Sequence, residues 1–275
     1  MKNSGLAVNS QVTIGGSSGL VLIAGPCVLE SRELALEIAE TCRSLCRELQ
    51  LPYIFKASFD KANRSSIDSY RGPGLDSGLA MLAAIKETLK IPVTTDIHTP
   101  EQAAIASEVV DIIQIPAFLC RQTDLLVAAG KSGCVVNIKK GQFMAPGDMK
   151  TVVDKVASTG NRRILLTERG TTFGYHNLVV DFRSFPQLAA TGCPVVFDAT
   201  HSVQLPAAQG KTSGGDRAMI PTLAAAAVAA GADAIFMEVH PDPDRALCDG
   251  ANSLPLNELA PLLKRLKKLK LAAAS

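Results

Sequence analysis

The chain has 275 residues, 47% of them hydrophobic, enough for one large core, and no polar linker divides it. A formal charge of +2 is too small to mark a nucleic-acid binder, and seven cysteines, an odd number without regular spacing, argue against a disulfide framework. The apolar run 20–24 is too short to span a bilayer and follows no strongly basic segment, so the expectation is a soluble, unprocessed cytoplasmic protein with no membrane partner.

In chain order, a polar Gly/Ser-rich start leads to Val12-Thr13-Ile14, then Gly-Gly-Ser-Ser-Gly, then Leu20-Val21-Leu22-Ile23. This reads as a β-hairpin running into the first main strand. Apolar strand candidates follow at 20–24, 53–57, 92–97, 111–115, 134–139, 163–168, 194–199 and 233–239. Helical patterns alternate with them at 31–50, 75–89, 100–108, 121–131, 147–159, 181–190, 217–230 and 255–270. Thr99-Pro100-Glu101 supplies a cap and a first-turn proline, and Pro146-Gly147-Asp148 opens a later helix. Eight strands alternating with eight helices predict an α/β chain folded as one (β/α)8 barrel domain over 1–275. An open doubly wound sheet is the fallback, but G-P-C at 25–27 is not the glycine fingerprint it would carry. The basic run Lys264–Lys270 falls on the last helix and reads as a solvated face.

In such a barrel, chemistry belongs to the C-terminal ends of the strands. Those positions carry Cys27, Lys56, Asp96 with His98, Gln114 with Pro116-Ala117, Lys139-Lys140, Glu168-Arg169, Asp198 with His201, and Glu238 with His240. Any one could be a satisfied core group; ionisable residues at nearly every end cost desolvation energy unless they serve a site. The stretch K-A-S-F-D-K-A-N-R-S-S at 56–66 adds Lys61, Asn63, Arg64 and Ser65. Lys56, Lys61, Arg64, Lys139 and Arg169 together can neutralise more than one phosphate or carboxylate. Cys27, His201, Glu238 and Asp249 offer sulfur, nitrogen and carboxylate oxygen, a mixed shell for Zn2+, Fe2+ or Mn2+. Their spacing is long-range, so on residues alone Cys27 reads first as a buried thiol and His201 as a hydrogen-bonded histidine, with Cys248 a competing ligand. Two long Gly/Pro-rich segments, 200–217 and 240–255, read as lids, with Gly214-Gly215 as a hinge. No nucleophile elbow or cofactor-binding signature is present.

Long motifs carry a resemblance: F-K-A-S-F-D-K-A-N-R-S-S at 55–66, S-Y-R-G-P-G-L at 69–75, Q-I-P-A-F-L-C-R-Q-T-D-L at 114–125, F-G-Y-H-N-L-V-V-D at 173–181 and E-V-H-P-D-P at 238–243. From Val21 to Leu256 the chain resembles the 3-deoxy-D-manno-octulosonate 8-phosphate synthases, also called 2-dehydro-3-deoxyphosphooctonate aldolases. The resemblance implies condensation of phosphoenolpyruvate with D-arabinose 5-phosphate and water, for lipopolysaccharide assembly, by a homotetrameric barrel whose N-terminal hairpin covers the bottom. It places the phosphoenolpyruvate pocket on Lys56, Lys61, Gln114, Ala117, Lys139 and Arg169. The sugar phosphate falls on Asn63, Arg64 and Ser65, with Arg121 from a neighbouring subunit, and Asp96 and His201 meet the reacting end of the sugar. Where the metal-free branch has asparagine, A-G-P-C at 24–27 has Cys27, so the chain resembles the metal-requiring branch. That implies a divalent ion on Cys27, His201, Glu238 and Asp249. The nearest rival is the sister enzyme that uses erythrose 4-phosphate, which typically carries K-P-R-T-S in place of K-A-N-R-S-S. Sialic acid synthase is a more distant relative, and a non-catalytic phosphoenolpyruvate-binding barrel is the reading from another class.

Overall fold

The computed structural model describes residues 5–64, 66–206 and 214–274. Eight parallel strands close on themselves: β1 (Val21–Gly25), β2 (Tyr53–Lys56), β3 (Val93–Asp96), β4 (Ile112–Ile115), β5 (Val135–Lys139), β6 (Ile164–Glu168), β7 (Val195–Asp198) and β8 (Ala234–His240). Each pairs with the next, and β8 closes the ring by pairing with both β7 and β1. The helices between and after them are α1 (Arg32–Glu48), α2 (Leu75–Leu89), α3 (Pro100–Ser107), α4 (Thr123–Lys131), α5 (Met149–Ala157), α6 (Ser184–Ala189), α7 (Ile220–Ala229) and α8 (Leu259–Ala274). Among the described residues, no helix is long and apolar enough to cross a membrane.

Every expected strand and helix forms, and the differences lie at helix ends. Pro146–Asp148, Arg217–Met219 and Leu256–Glu258 are 3-10 turns that lead into α5, α7 and α8, a tightening that hydrophobic spacing does not distinguish from α-helix. Side-chain contacts fix two of the helix starts. The Ser31 side chain accepts from the Leu34 N–H at 3.1 Å to cap α1. At α3, Gln102 Oε1 accepts from the His98 N–H at 2.7 Å behind Pro100.

The expected N-terminal hairpin forms, with a different partner strand. Thr13–Ile14 pairs antiparallel backward onto Leu6–Ala7, not forward onto Leu20–Ile23. Both edges of β1 are already taken by β2 and β8, so no ladder is left for it. Asn9 Oδ1 accepts from the N–H groups of Gln11 and Val12, which makes the turn.

The two-residue strand period sorts the barrel into two cores. Leu22, Ala24, Phe55, Val93, Ile113, Val136, Leu166, Phe197 and Met237 face outward and pack with the helices. Val21, Ile23, Ile54, Ile112, Val135, Leu165, Val196, Ala234 and Phe236 face inward, and the hairpin's Leu6, Val8, Val12 and Ile14 join them to close the barrel floor. Continuing the inward series upward reaches Lys56, Asp96, Gln114, Lys139, Arg169, Asp198 and Glu238, all buried. At the top of β1 the same series reaches Gly25, where a Cβ would lie 2.0 Å from the Lys56 carbonyl oxygen, so only glycine permits this strand spacing.

Candidate active site

The inward polar residues open into a cavity of about 770 Å3 at the C-terminal ends of the strands. Lys56, Lys61, Arg64, Asp96, Gln114, Lys139, Arg169 and His201 line it, with Asn63, Ala117 and Asp249 nearer the rim. Cys27 and Glu238 lie just beneath this lining, with Cys27 Sγ 3.8 Å from Asp249 Oδ2 and Glu238 Oε1 3.5 Å from Lys61 Nζ.

On one side the cations gather. Lys139 Nζ donates to Asp198 Oδ2 at 2.5 Å and stands over the Phe236 ring at 4.1 Å. Burial pulls its pKa down; Asp198 opposes this, and neighbouring Lys56 adds to the fall. Lys56 Nζ donates to Ser58 Oγ at 2.9 Å, and Ser58 in turn hydrogen-bonds Asp96, whose other oxygen sits 3.1 Å from His98 Nε2. Burial would raise the Asp96 carboxyl, but the charges of Lys56, His98 and Lys61 outweigh it and hold it well below the carboxylate range. Arg169 gives Nη2 to Gln204 Oε1 at 2.6 Å, while its buried Nη1 has no partner among the described residues. A buried guanidinium N–H without an acceptor is the mark of a site that receives one. Gln114 is aimed by a buried ladder: Thr167 donates to Asn137 at 2.6 Å, and Asn137 donates to Gln114 Oε1 at 3.2 Å.

On the other side stand the metal-type donors. Asp198 Oδ2 lies 2.7 Å from His201 Nδ1 and takes that N–H, which turns Nε2 toward Glu238 Oε1 at 3.4 Å and Asp249 Oδ2 at 3.9 Å. Burial would raise both Asp198 and Glu238, yet neighbouring cations win, holding Asp198 well below its ordinary range and Glu238 at about 2. Two triads, Cys27–Cys248–Asp249 and His201–Glu238–Asp249, each keep their donor atoms within 4.8 Å and share Asp249. Glu238 Oε2 is buried without a hydrogen-bond partner. An orphaned carboxylate oxygen beside imidazole and thiol suits a divalent ion, so the donor set fits one. Cys248 Sγ, 3.0 Å from Cys27 Sγ, remains a rival fourth donor.

Arg64 reaches the same rim from the 56–66 stretch. Its Nη1 donates to Cys248 Sγ at 2.8 Å and lies 3.6 Å from Asp249 Oδ1, and its Nε is buried without a partner among the described residues. Ser65 lies outside the described residues. Arg121 is exposed and does not line the cavity; its carbonyl accepts from Lys155 Nζ at 3.0 Å. Two ionisable strand ends turn elsewhere. Lys140 pins the loops around Glu168 and Thr171, and His240 Nδ1 accepts from the Asp242 N–H at 3.0 Å.

The two long segments meet over the rim. Gln204–Leu205 pairs antiparallel with Gly214–Gly215, so the glycine pair is a strand; residues 207–213 of the expected lid lie outside the described residues. Arg217 donates to Asp244 at 2.7 Å, joining one segment to the other. Sequence reasoning gave no role to Ser58 or Gln204, which are neutral, nor to Asp198, which it noted only as a strand end.

A sequence model of the DAHP synthetase I family matches residues 3–274. The chain is 63% identical over 258 residues to a 2-dehydro-3-deoxyphosphooctonate aldolase of Trichlorobacter lovleyi, covering 94% of this chain and 95% of that one. It is 58% identical over 268 residues to the protein of the same name from Desulfatibacillum aliphaticivorans, covering 98% of each. A third of that name, from Geobacter metallireducens, is 59% identical over 258 residues, covering 94% of this chain and 95% of the relative.

Proposed function

The chain belongs to the DAHP synthetase I family, and from that premise we propose the reaction its relatives' name describes. The protein condenses phosphoenolpyruvate with D-arabinose 5-phosphate and water, giving 3-deoxy-D-manno-octulosonate 8-phosphate and inorganic phosphate for lipopolysaccharide synthesis. The observation that carries this reading is a pair of arginines, Arg64 and Arg169, that line one cavity and each keep a buried guanidinium nitrogen, Nε and Nη1, without a partner among the described residues. One cavity with two waiting anion anchors suits two phosphorylated reactants.

Lys139 and Arg169 hold the phosphate of phosphoenolpyruvate, with the Ala117 N–H, while Lys56, Lys61 and Gln114 complete its pocket. Asn63, Arg64 and Ser65 take the sugar phosphate. Two mutually repelling anions are thereby held side by side, so that C3 of phosphoenolpyruvate meets the aldehyde in an effectively intramolecular step. Water adds at C2, and phosphate leaves. Asp96 and His201 face the reacting end of the sugar; the new alkoxide takes its proton from a water in the open cavity, or from His201 where its Nε2 is not committed to the ion. Cys27, His201, Glu238 and Asp249 would hold a divalent ion, Zn2+, Fe2+ or Mn2+, which would supply Lewis-acid chemistry to the aldehyde oxygen or to water. Exposed Arg121 serves a neighbouring subunit's sugar site, which makes the working form a homotetramer. The chain acts as a single domain, 1–275, in the cytoplasm.

The rival sugar, erythrose 4-phosphate, is favoured only by the family model's broader name. Phosphate release measured with each aldose phosphate separates the two. Activity with arabinose 5-phosphate is expected, and activity with erythrose 4-phosphate alone would overturn the assignment. Chelation should abolish turnover, and a divalent ion should restore it. Cys27→Ala should weaken metal affinity by more than the about 10–100-fold that follows loss of an outer-shell partner, with the fold intact by circular dichroism.

A further inference from the structure

Between the anion pocket and the metal-type donors stands one neutral side chain. Gln204 Oε1 accepts from Arg169 Nη2 at 2.6 Å, and Gln204 Nε2 donates to Asp249 Oδ2 at 3.3 Å. The amide orientation is dictated by chemistry: a guanidinium can only donate, and an ionised carboxylate can only accept. A primary amide is a neutral side-chain group that serves both at once, with its acceptor and its donor on separate atoms.

The backbone around it leaves little slack. Gln204 pairs with Gly215, and a Cβ on Gly215 would lie 1.6 Å from Asn252 Oδ1, so this short ladder is seated on the segment that carries Asp249. Asp249 itself holds a left-handed conformation, φ 47 and ψ 32, unusual for a residue with a side chain. Its Oδ2 faces Gln204, Cys27 and His201, at 3.3, 3.8 and 3.9 Å.

We propose that Gln204 is a positioning residue that couples occupancy of the Arg169 anion pocket to occupancy of the metal shell through Asp249. The proposal rests on the function assigned above. Arg169 polarises the Gln204 amide and strengthens the hydrogen bond that its N–H gives Asp249, drawing electron density from the ligating oxygen. A phosphate on Arg169 satisfies the guanidinium, relaxes that pull and leaves Asp249 the better ligand. By linkage, metal binding favours the anion by the same factor.

The full-length protein, stripped by chelation, is titrated with Mn2+ in the presence and absence of saturating phosphoenolpyruvate, with no sugar and so no turnover. Phosphoenolpyruvate is expected to lower the wild-type Mn2+ Kd by about fivefold or more. In Gln204→Met, which keeps the length but neither hydrogen bond, the two Kd values should agree within about twofold. Gln204→Glu puts a carboxylate between Arg169 and Asp249, so it should tighten Mn2+ and weaken phosphoenolpyruvate, opposite shifts that a merely structural role would not produce. An undiminished coupling factor in Gln204→Met, no coupling in a wild type that binds both ligands, or no Mn2+ binding by the wild type would each overturn the proposal. Should Gln204→Met fail to fold, Gln204→Glu decides: opposite shifts support the coupling, and shifts of one sign overturn it. Failure of the wild type to bind phosphoenolpyruvate would sink the assigned function instead.

Discussion

The floor and the mouth of this barrel are made by the same eight strands, yet they have opposite chemistry. At the floor, Val21, Ile54, Ile112, Val135 and Leu165 meet the hairpin's Ile14 in a dry apolar plug. One inward step or two higher, the same faces present Lys56, Gln114, Lys139 and Arg169. The floor obeys the rule that strands buried on both faces are apolar; the mouth breaks it with polar groups that pair with one another, Lys56 with Ser58 and Lys139 with Asp198, and with two atoms, Arg169 Nη1 and Glu238 Oε2, that have no partner among the described residues. Stability is thus concentrated at one end and chemistry at the other, and substitutions should separate the two.

The largest effect is expected at the mouth. Arg169→Ala should lower kcat/KM about 100- to 1000-fold, the scale of losing a buried charged contact, while thermal melting shifts less, because losing the Nη2–Gln204 hydrogen bond is offset by removal of a buried cation whose Nη1 is unpaired among the described residues. Steady-state kinetics and a melting curve on one preparation check both halves. At the floor the pattern reverses. Ile14→Ala should cost about 2–5 kcal/mol in denaturant unfolding yet leave kcat of the folded fraction unchanged.

Acid sharpens the contrast. The Asp96 carboxyl lies well below its ordinary 3.8 in the folded chain, so the stability it contributes is fully present above 3.8 and is lost as pH falls through the folded value. In metal-free protein, the unfolding free-energy gap between wild type and Asp96→Asn should therefore hold steady from neutral pH downward and shrink once 3.8 is passed. A constant gap throughout would show that Asp96 is not carrying its charge. The smallest effect belongs to the rim. The Arg217–Asp244 pair leaves the Asp244 side chain 82% exposed, so Arg217→Ala should change stability by about 1 kcal/mol or less, less still at high salt.

These contrasts explain what could be read before any coordinates. The strands were legible because both their faces are buried, and Lys56, Lys139 and Glu238 because an ionisable group ending an apolar run has few structural reasons to be there. The hairpin was legible but its partner strand was not, because Leu20–Ile23 can pair on either edge, and only ring closure shows that both edges are taken. Ser58 and Gln204 escaped because a neutral side chain in a connecting segment carries no signal until its partners arrive. For Ser58 that partner is Asp96, and for Gln204 it is Asp249, 45 positions away. The pairing of Cys27 with Asp249 spans 222 positions, beyond any local spacing rule.

Gly25 carries a final consequence. Its bare α-carbon lets the Lys56 carbonyl close in on β1, and two residues later the Cys27 carbonyl accepts from Lys56 Nζ at 3.4 Å. The gauge of the opening is thus set by a hydrogen where other residues carry carbon. A single methyl group there would act as a wedge, prising the Cys27 backbone away from Lys56 and loosening the mouth without touching any side chain that lines it.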